Sequence, residues 1–346
     1  MRGHPRTYQV LITSVAATAA LLAAGCGGGS TPSGTGDSAS GGASGGKLNL
    51  VAYSTPKEAY AKLIPAFQAT AAGKGVTFNQ SYGSSGDQSR AVDAGLPADV
   101  VEFSLEPDMT RLVDDGIVAS DWNGGPQKGM VTDSIVVFVV RKGNPKNIHT
   151  WDDLVKPGVE VITPNPFTSG GARWNLMAGY GAQLKLGKTP VEALAYLKTL
   201  LQHTVVQDKS ARDALQTFVG GKGDVMLAYE NEAILAQQEG QDVDYVVPDQ
   251  TILIENPIAV TKGAPPAAKA FADFLLTPAA QTIFGESGYR PVLPGVLAQF
   301  HFPTPPQLFT IQDLGGWPDV AKKFFDRDTG LVAQIEKGLG VSTASS

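Results

Sequence analysis

The stretch VEVITPNPFTSGGARWNLMAGYGAQL, residues 159–184, changes its period in the middle. VEVITP is β-branched and apolar and reads as a strand, whereas ARWNLMAGYGAQL reads as a helix. Between them, Thr168, Ser169, Gly170 and Gly171 bring four small residues to the helix start. Two readings fit that junction. In one, Thr168 or Ser169 caps the helix and the glycines only make the turn. In the other, the glycines let an anion approach a helix N-terminus, where unpaired N–H groups and the positive end of the dipole meet.

The same layout recurs in YSTPKEAY, GSSGDQSRAV and DKSARDALQTF. Each places hydroxyl or glycine residues at the carboxyl end of a predicted strand, directly before a helix. In open α/β sheets that is where ligands bind. Four such turns meeting in one cleft would offer N–H and O–H donors and no catalytic base, a site suited to an anion.

Strands LNLVAYS, VTFNQSYG and ADVVEFS alternate with helices, including one opened by Pro56 with Tyr60, Leu63, Ile64 and Phe67 on one face. This rhythm predicts an α/β fold with a parallel sheet. DSIVVFVVRKGNP and TILIENPIAVTKG are longer extended runs that read as passages to and from a second unit. We therefore expect one lobe from residues 47–132 with 256–346, and another from residues 133–255. The tail, including PAAKAFADFLLTPAAQTIFGE, reads as helical.

The N-terminal region differs in kind. Arg2, His4 and Arg6 precede an uncharged apolar run from Val10 to Ala24, and LLAAGC ends on the single cysteine, Cys26. Residues 1–25 read as a signal peptide and Cys26 as a lipidation site, an arrangement that resembles the bacterial lipoprotein box. An ordinary signal peptide with an incidental cysteine is the alternative. Two acyl chains on Cys26 would hold the protein on the outer face of the cell membrane. The rest of residues 26–46 is almost wholly Gly, Ser, Thr, Ala and Pro, a tether with a reach of about 25 Å.

Net charge is −6 with no basic block, which argues against nucleic acid. Four scattered histidines and one cysteine give no metal-ligand spacing and no His-based triad, so no metal or cofactor is expected. Ser85 and Ser169 lack a neighbouring histidine in the sequence, and Glu230 and Glu232 lie two apart, so an enzyme is disfavoured. A surface lipoprotein without a ligand is the third class considered.

QSYGSSGDQSRAV, KPGVEVITPNPFTSGGARWN, GDVMLAYENEA and FTIQDLGGW resemble the sulfate- and thiosulfate-binding proteins of ABC importers, over nearly all of residues 48–325. The resemblance implies a two-lobed venus-flytrap fold of the type II periplasmic-binding-protein kind, with the ligand in the cleft between lobes. It implies a monomer that delivers sulfate or thiosulfate to a membrane permease, with molybdate or phosphate as the alternative oxyanions. By position, the implied ligands are Ser54, Ser85, Ser169, Gly170, Gly171, Ala211 and Tyr229.

Three positions depart from that family's pattern. Ser54 stands where Asp is frequent, and Tyr229 replaces a Trp donor. Asp87 stands where Lys is common; it complements the helix dipole or accepts a proton from the ligand. Arg173 and Arg212, beside the site, either polarise the backbone from behind or form surface ion pairs. If Cys26 is the anchor, Cys26→Ala releases the protein from membranes in cell fractionation and leaves ligand affinity unchanged. Firm membrane association of that variant would identify a different anchor.

Overall fold

The computed structural model describes residues 46–344. Cys26, the apolar leader and all but the last residue of the tether lie outside them. Along the chain the elements are β1 (Lys47–Tyr53), α1 (Lys57–Gln68), β2 (Thr77–Gly83), α2 (Ser85–Asp93), β3 (Val100–Glu102) and α3 (Glu106–Asp114). There follow β4 (Met130–Arg141), β5 (Val161–Ile162), α4 (Gly170–Lys185), α5 (Pro190–Gln202), β6 (Thr204–Val206), α6 (Ala211–Val219) and β7 (Val225–Tyr229). The remainder comprises α7 (Glu230–Gln238), β8 (Val243–Val246), β9 (Gln250–Val260), α8 (Pro266–Leu275), α9 (Pro278–Glu286) and β10 (Arg290–Pro291). Last come α10 (Pro294–Leu297), β11 (Gln307–Phe309), α11 (Gly316–Phe325) and α12 (Leu331–Gly338).

The strands order as β2-β1-β3-β9-β4-β7-β5-β6. β2, β1 and β3 are parallel, as are β7, β5 and β6, and the antiparallel pair β4 and β9 lies between the two sets. β9 uses Ile258–Val260 against β3 and Leu253–Pro257 against β4, while β4 continues through Val136–Val140 against β7. Thus the two long β-branched runs form β4 and β9, the antiparallel pair between the two parallel sets. The expected two-lobed class is the one observed.

Each unit has its own core. Leu48, Leu50, Tyr60, Leu63, Phe67, Phe271 and Phe284 pack in the first, where the i, i+3, i+4 spacing of α1 turns its apolar face onto β1. Phe138, Trp151, Phe167, Trp174, Leu197 and Leu227 pack in the second. The predicted tail helix is broken at Thr277, whose hydroxyl accepts the Ala280 N–H, and Pro278 opens α9.

The end of the chain departs from the expected division at residue 256. β11 pairs in parallel with Gln250–Ile252 of β9, and Phe309, Trp317, Phe324 and Val332 join the second core. Trp317 meets Trp174 edge-on at 4.7 Å, and Phe324 meets Tyr180 at 4.8 Å. α4 is accordingly buried on nearly every side, with sheet beneath it and the tail above.

Gly181 marks the closest approach, since a Cβ there would lie 2.2 Å from the Phe309 ring. We expect Gly181→Val to cost roughly 1–3 kcal/mol through overpacking, read as a lower midpoint in thermal unfolding. An unchanged midpoint would show that the tail yields without loss.

Candidate functional site

The α4 start is where the two sequence readings part. Ser169 is the N-cap in an extended conformation, but its side chain makes no capping hydrogen bond. Thr168 is not the cap either, because its hydroxyl donates to the Lys209 carbonyl at 2.7 Å. Helix geometry leaves first-turn amides without intrahelical acceptors, and those of Gly170 and Gly171 find none among the described residues. The junction is not a capped turn; its donors are open.

The neighbouring turns differ in how their hydroxyls are used. The Ser85 hydroxyl donates to Asp108 Oδ2 at 2.6 Å and accepts the Ser104 N–H at 3.0 Å, which leaves its backbone N–H as the open donor. Ser210 caps α6 by accepting the Asp213 N–H at 3.2 Å, and the Ala211 amide beside it has no acceptor among the described residues. Ser54 follows β1, half-buried on the wall of a cleft of about 490 Å³. Ser84, Asp87, Lys209, Ser210 and Arg212 line the same cleft.

Contacts at the two glycines show how closely these turns meet. A Cβ on Gly171 would lie 3.4 Å from the Tyr229 ring, 3.5 Å from Ser169 Oγ and 3.8 Å from the Ala211 Cβ. A Cβ on Gly170 would lie 2.0 Å from Ser104 Oγ and 2.6 Å from Leu105 Cδ2. The starts of α4 and α6, the end of β7 and the segment after β3 therefore converge on one point. Tyr229 closes it from below; its ring lies 6.4 Å from that of Tyr53, and its hydroxyl sits 3.5 Å from the Ser104 carbonyl. Burial raises the Tyr229 phenol well above its ordinary pKa, so it remains a protonated donor at neutral pH.

Bonds across the cleft hold the two units together. The Gly86 N–H donates to the Thr168 carbonyl at 3.1 Å. Lys209 Nζ reaches Asp87 at 3.2 Å. Arg212 contacts Glu58 at 2.7 Å and Glu232 at 2.9 Å, and it donates to the Thr55 carbonyl at 3.2 Å. The cleft is shut in this structure.

These contacts separate the alternatives left open for the charged residues. Asp87 is partly buried, which favours the neutral form, yet donors from Ser84, Arg90 and Lys209 outweigh this and hold its carboxyl below the usual range. It is a first-turn carboxylate ringed by donors. Arg212 forms ion pairs, as one reading had it; the one with Glu58 crosses the cleft, and the one with Glu232 lies within its own unit. Arg173 forms no surface ion pair among the described residues. Its Nε donates to the Pro166 carbonyl at 2.8 Å, its guanidinium lies 5.0 Å from the Phe325 ring centre, and it has no carboxylate partner among the described residues. Burial lowers its pKa to about 10, with Asp108 opposing that effect, and it remains a cation behind the α4 turn.

Sequence reasoning missed Ser104, Asn256, Trp174 and Lys209. Trp174 Nε1 and Asn256 Nδ2 both donate to the Ser104 carbonyl, at 2.6 and 3.2 Å. The available signal was position, since Ser104 lies just past the carboxyl end of β3. His149 and His203 hydrogen-bond to Asn147 and to the Val159 carbonyl, not to site residues. No cluster of His, Cys, Asp and Glu suited to a metal occurs among the described residues. Nor is any helix there long and apolar enough to cross a membrane. The arrangement offers donors to an anion.

Comparisons with known proteins agree with that chemistry. Residues 48–290 match the family described as bacterial extracellular solute-binding protein. A sulfate-binding protein of Synechococcus elongatus is 42% identical over 306 residues, covering 85% of this chain and 87% of its own. A thiosulfate-binding protein of Escherichia coli is 37% identical, covering 79% of this chain and 86% of its own. Among solved structures, the sulfate-binding protein SubI of Mycobacterium tuberculosis superimposes with a TM-score of 0.79 at 47% identity, over 81% of this chain and 99% of that one.

Because a Cβ on Gly170 would press on the Ser104 and Leu105 side chains, Gly170→Ala should weaken any anion bound at the α4 start by tenfold or more, the loss of about one charge-assisted hydrogen bond, in calorimetric titration with sulfate as the probe. Wild-type affinity in that variant would show that the segment around Ser104 relaxes without consequence for the site.

Proposed function

The chain belongs to the bacterial extracellular solute-binding proteins, and from that premise we propose that it captures sulfate, with thiosulfate as a second ligand, and passes it to an ABC permease. Family membership places its work outside the cytoplasm. Acting there as a monomer tethered through lipid on Cys26 would keep the captured anion beside the permease. It has no need to turn its ligand over, and its relatives are binding proteins.

One observation carries the reading: the uncapped first turn of α4, with the Gly170 and Gly171 amides open and the Ser169 hydroxyl unused beside Tyr229. In the proposed site Ser54, Ser85, Gly170, Gly171 and Ala211 offer backbone N–H groups, and Ser169 and Tyr229 offer hydroxyls. No proposed ligand is a lysine or arginine. Each helix N-terminus contributes roughly half a positive charge, so the starts of α4 and α6 together provide part of the attraction a dianion requires. Arg173 would add to that potential without touching the ligand.

A cage of donors also discriminates. Sulfate at neutral pH has no proton to give, so donors alone satisfy it. Phosphate keeps a proton, and where no acceptor receives it a hydrogen bond is left unmade, at a cost of about 1–3 kcal/mol. Asp87 offers no remedy, because Arg90, Lys209 and Ser84 already occupy it. We expect ligand-stripped protein to bind sulfate at least ~100-fold more tightly than phosphate in calorimetric titration at neutral pH, about 2.7 kcal/mol. Equal affinities, or no response to sulfate, would overturn the reading.

A further inference from the structure

Ser104 is buried, and its backbone is held at both polar ends. Its N–H donates to Ser85 Oγ at 3.0 Å, and its carbonyl accepts from Trp174 and Asn256 at 2.6 and 3.2 Å. Those bonds hold the backbone from which the side chain springs. Even so, Ser104 Oγ has no hydrogen-bond partner. It lies against the first turn of α4, 2.0 Å from where a Cβ on Gly170 would stand, beside the Gly170 and Gly171 amides that also lack acceptors. A buried hydroxyl without a partner is costly, and here it stands among donors that share its need for an acceptor.

We propose that Ser104 is a further ligand of the bound anion, donating its hydroxyl proton to an oxygen held at the α4 N-terminus. This rests on the oxyanion-binding reading above and adds to it a side-chain donor supplied from the opposite wall of the cleft. Ser85, Trp174 and Asn256 hold the donor in place through its backbone, so little rotational freedom is lost when the anion arrives. A group that is unsatisfied without ligand and satisfied with it also favours the loaded state over the empty one.

The test is calorimetric titration of wild-type and Ser104→Ala protein with sulfate, alongside thermal unfolding of both after the ligand has been stripped. We expect the substitution to weaken sulfate roughly tenfold to a hundredfold, as for a hydrogen bond to a charged group. The ligand-free melting temperature should be unchanged or slightly higher, because an unpaired hydroxyl has been removed. Wild-type affinity in Ser104→Ala would overturn the assignment. So would a weakening matched by a lower ligand-free melting temperature, which would mark Ser104 as structural. Failure of the wild type to bind sulfate would remove the parent reading and this one together, whereas binding that ignores the substitution removes only this one.

Discussion

Three of the described helices, α5, α6 and α9, close their first turn with a side-chain oxygen, from Thr189, Ser210 and Thr277. α4 has the right residue for the purpose and withholds it. Ser169, Gly170 and Gly171 are buried, the Ser169 hydroxyl and the two glycine amides lack acceptors among the described residues, and groups so placed call for a partner. A Cβ on Gly170 would collide with Ser104, whereas one on Gly171 would meet Tyr229 and Ala211 at ordinary contact distance. The Thr168 carbonyl and hydroxyl, which could have served the helix, bind Gly86 and Lys209 instead.

Electrostatic attraction without contact cations is the second constraint. Arg212 and Lys209 flank the cleft, but each is neutralised by carboxylates, Glu58 and Glu232 for one and Asp87 for the other. Their role is to clamp the two units. Arg173 lacks such a partner among the described residues and lies behind the α4 turn, donating to the Pro166 carbonyl. A cation placed behind peptide dipoles deepens their potential while the contacts stay backbone and neutral. Such contacts are directional, which a mobile ammonium group would not be.

The alternation of strands and helices and the two crossing strands were legible in the sequence because each obeys a local period. DSIVVFVVRKGNP and TILIENPIAVTKG stood out as β-branched runs too long for one edge, and they became β4 and β9. The glycine and serine turns were legible for the same local reason. Whether Ser169 would cap was not, since that depends on what faces it from the other unit. Ser104 escaped notice because it opens no helix; its place is set by Trp174 and Asn256, 70 and 152 residues away. The tail was misplaced because an amphipathic helix announces an apolar face but not the core that face covers. A better clue lay in α4, whose WNLMAGYGAQL is apolar on all sides and so called for a second covering layer.

That covering layer has a mechanical result. Because β10 pairs with Thr132–Asp133 of β4 and β11 with Gln250–Ile252 of β9, the segment between them carries the chain from one unit to the other a third time. Two adjacent strands form a ribbon that can both bend and twist. A third connection, set apart from the ribbon, resists torsion while leaving bending free. A hinge with three connections has fewer ways to move than one with two, and the cross-cleft partners Gly86 and Thr168, and Asp87 and Lys209, sit on the two units those connections join.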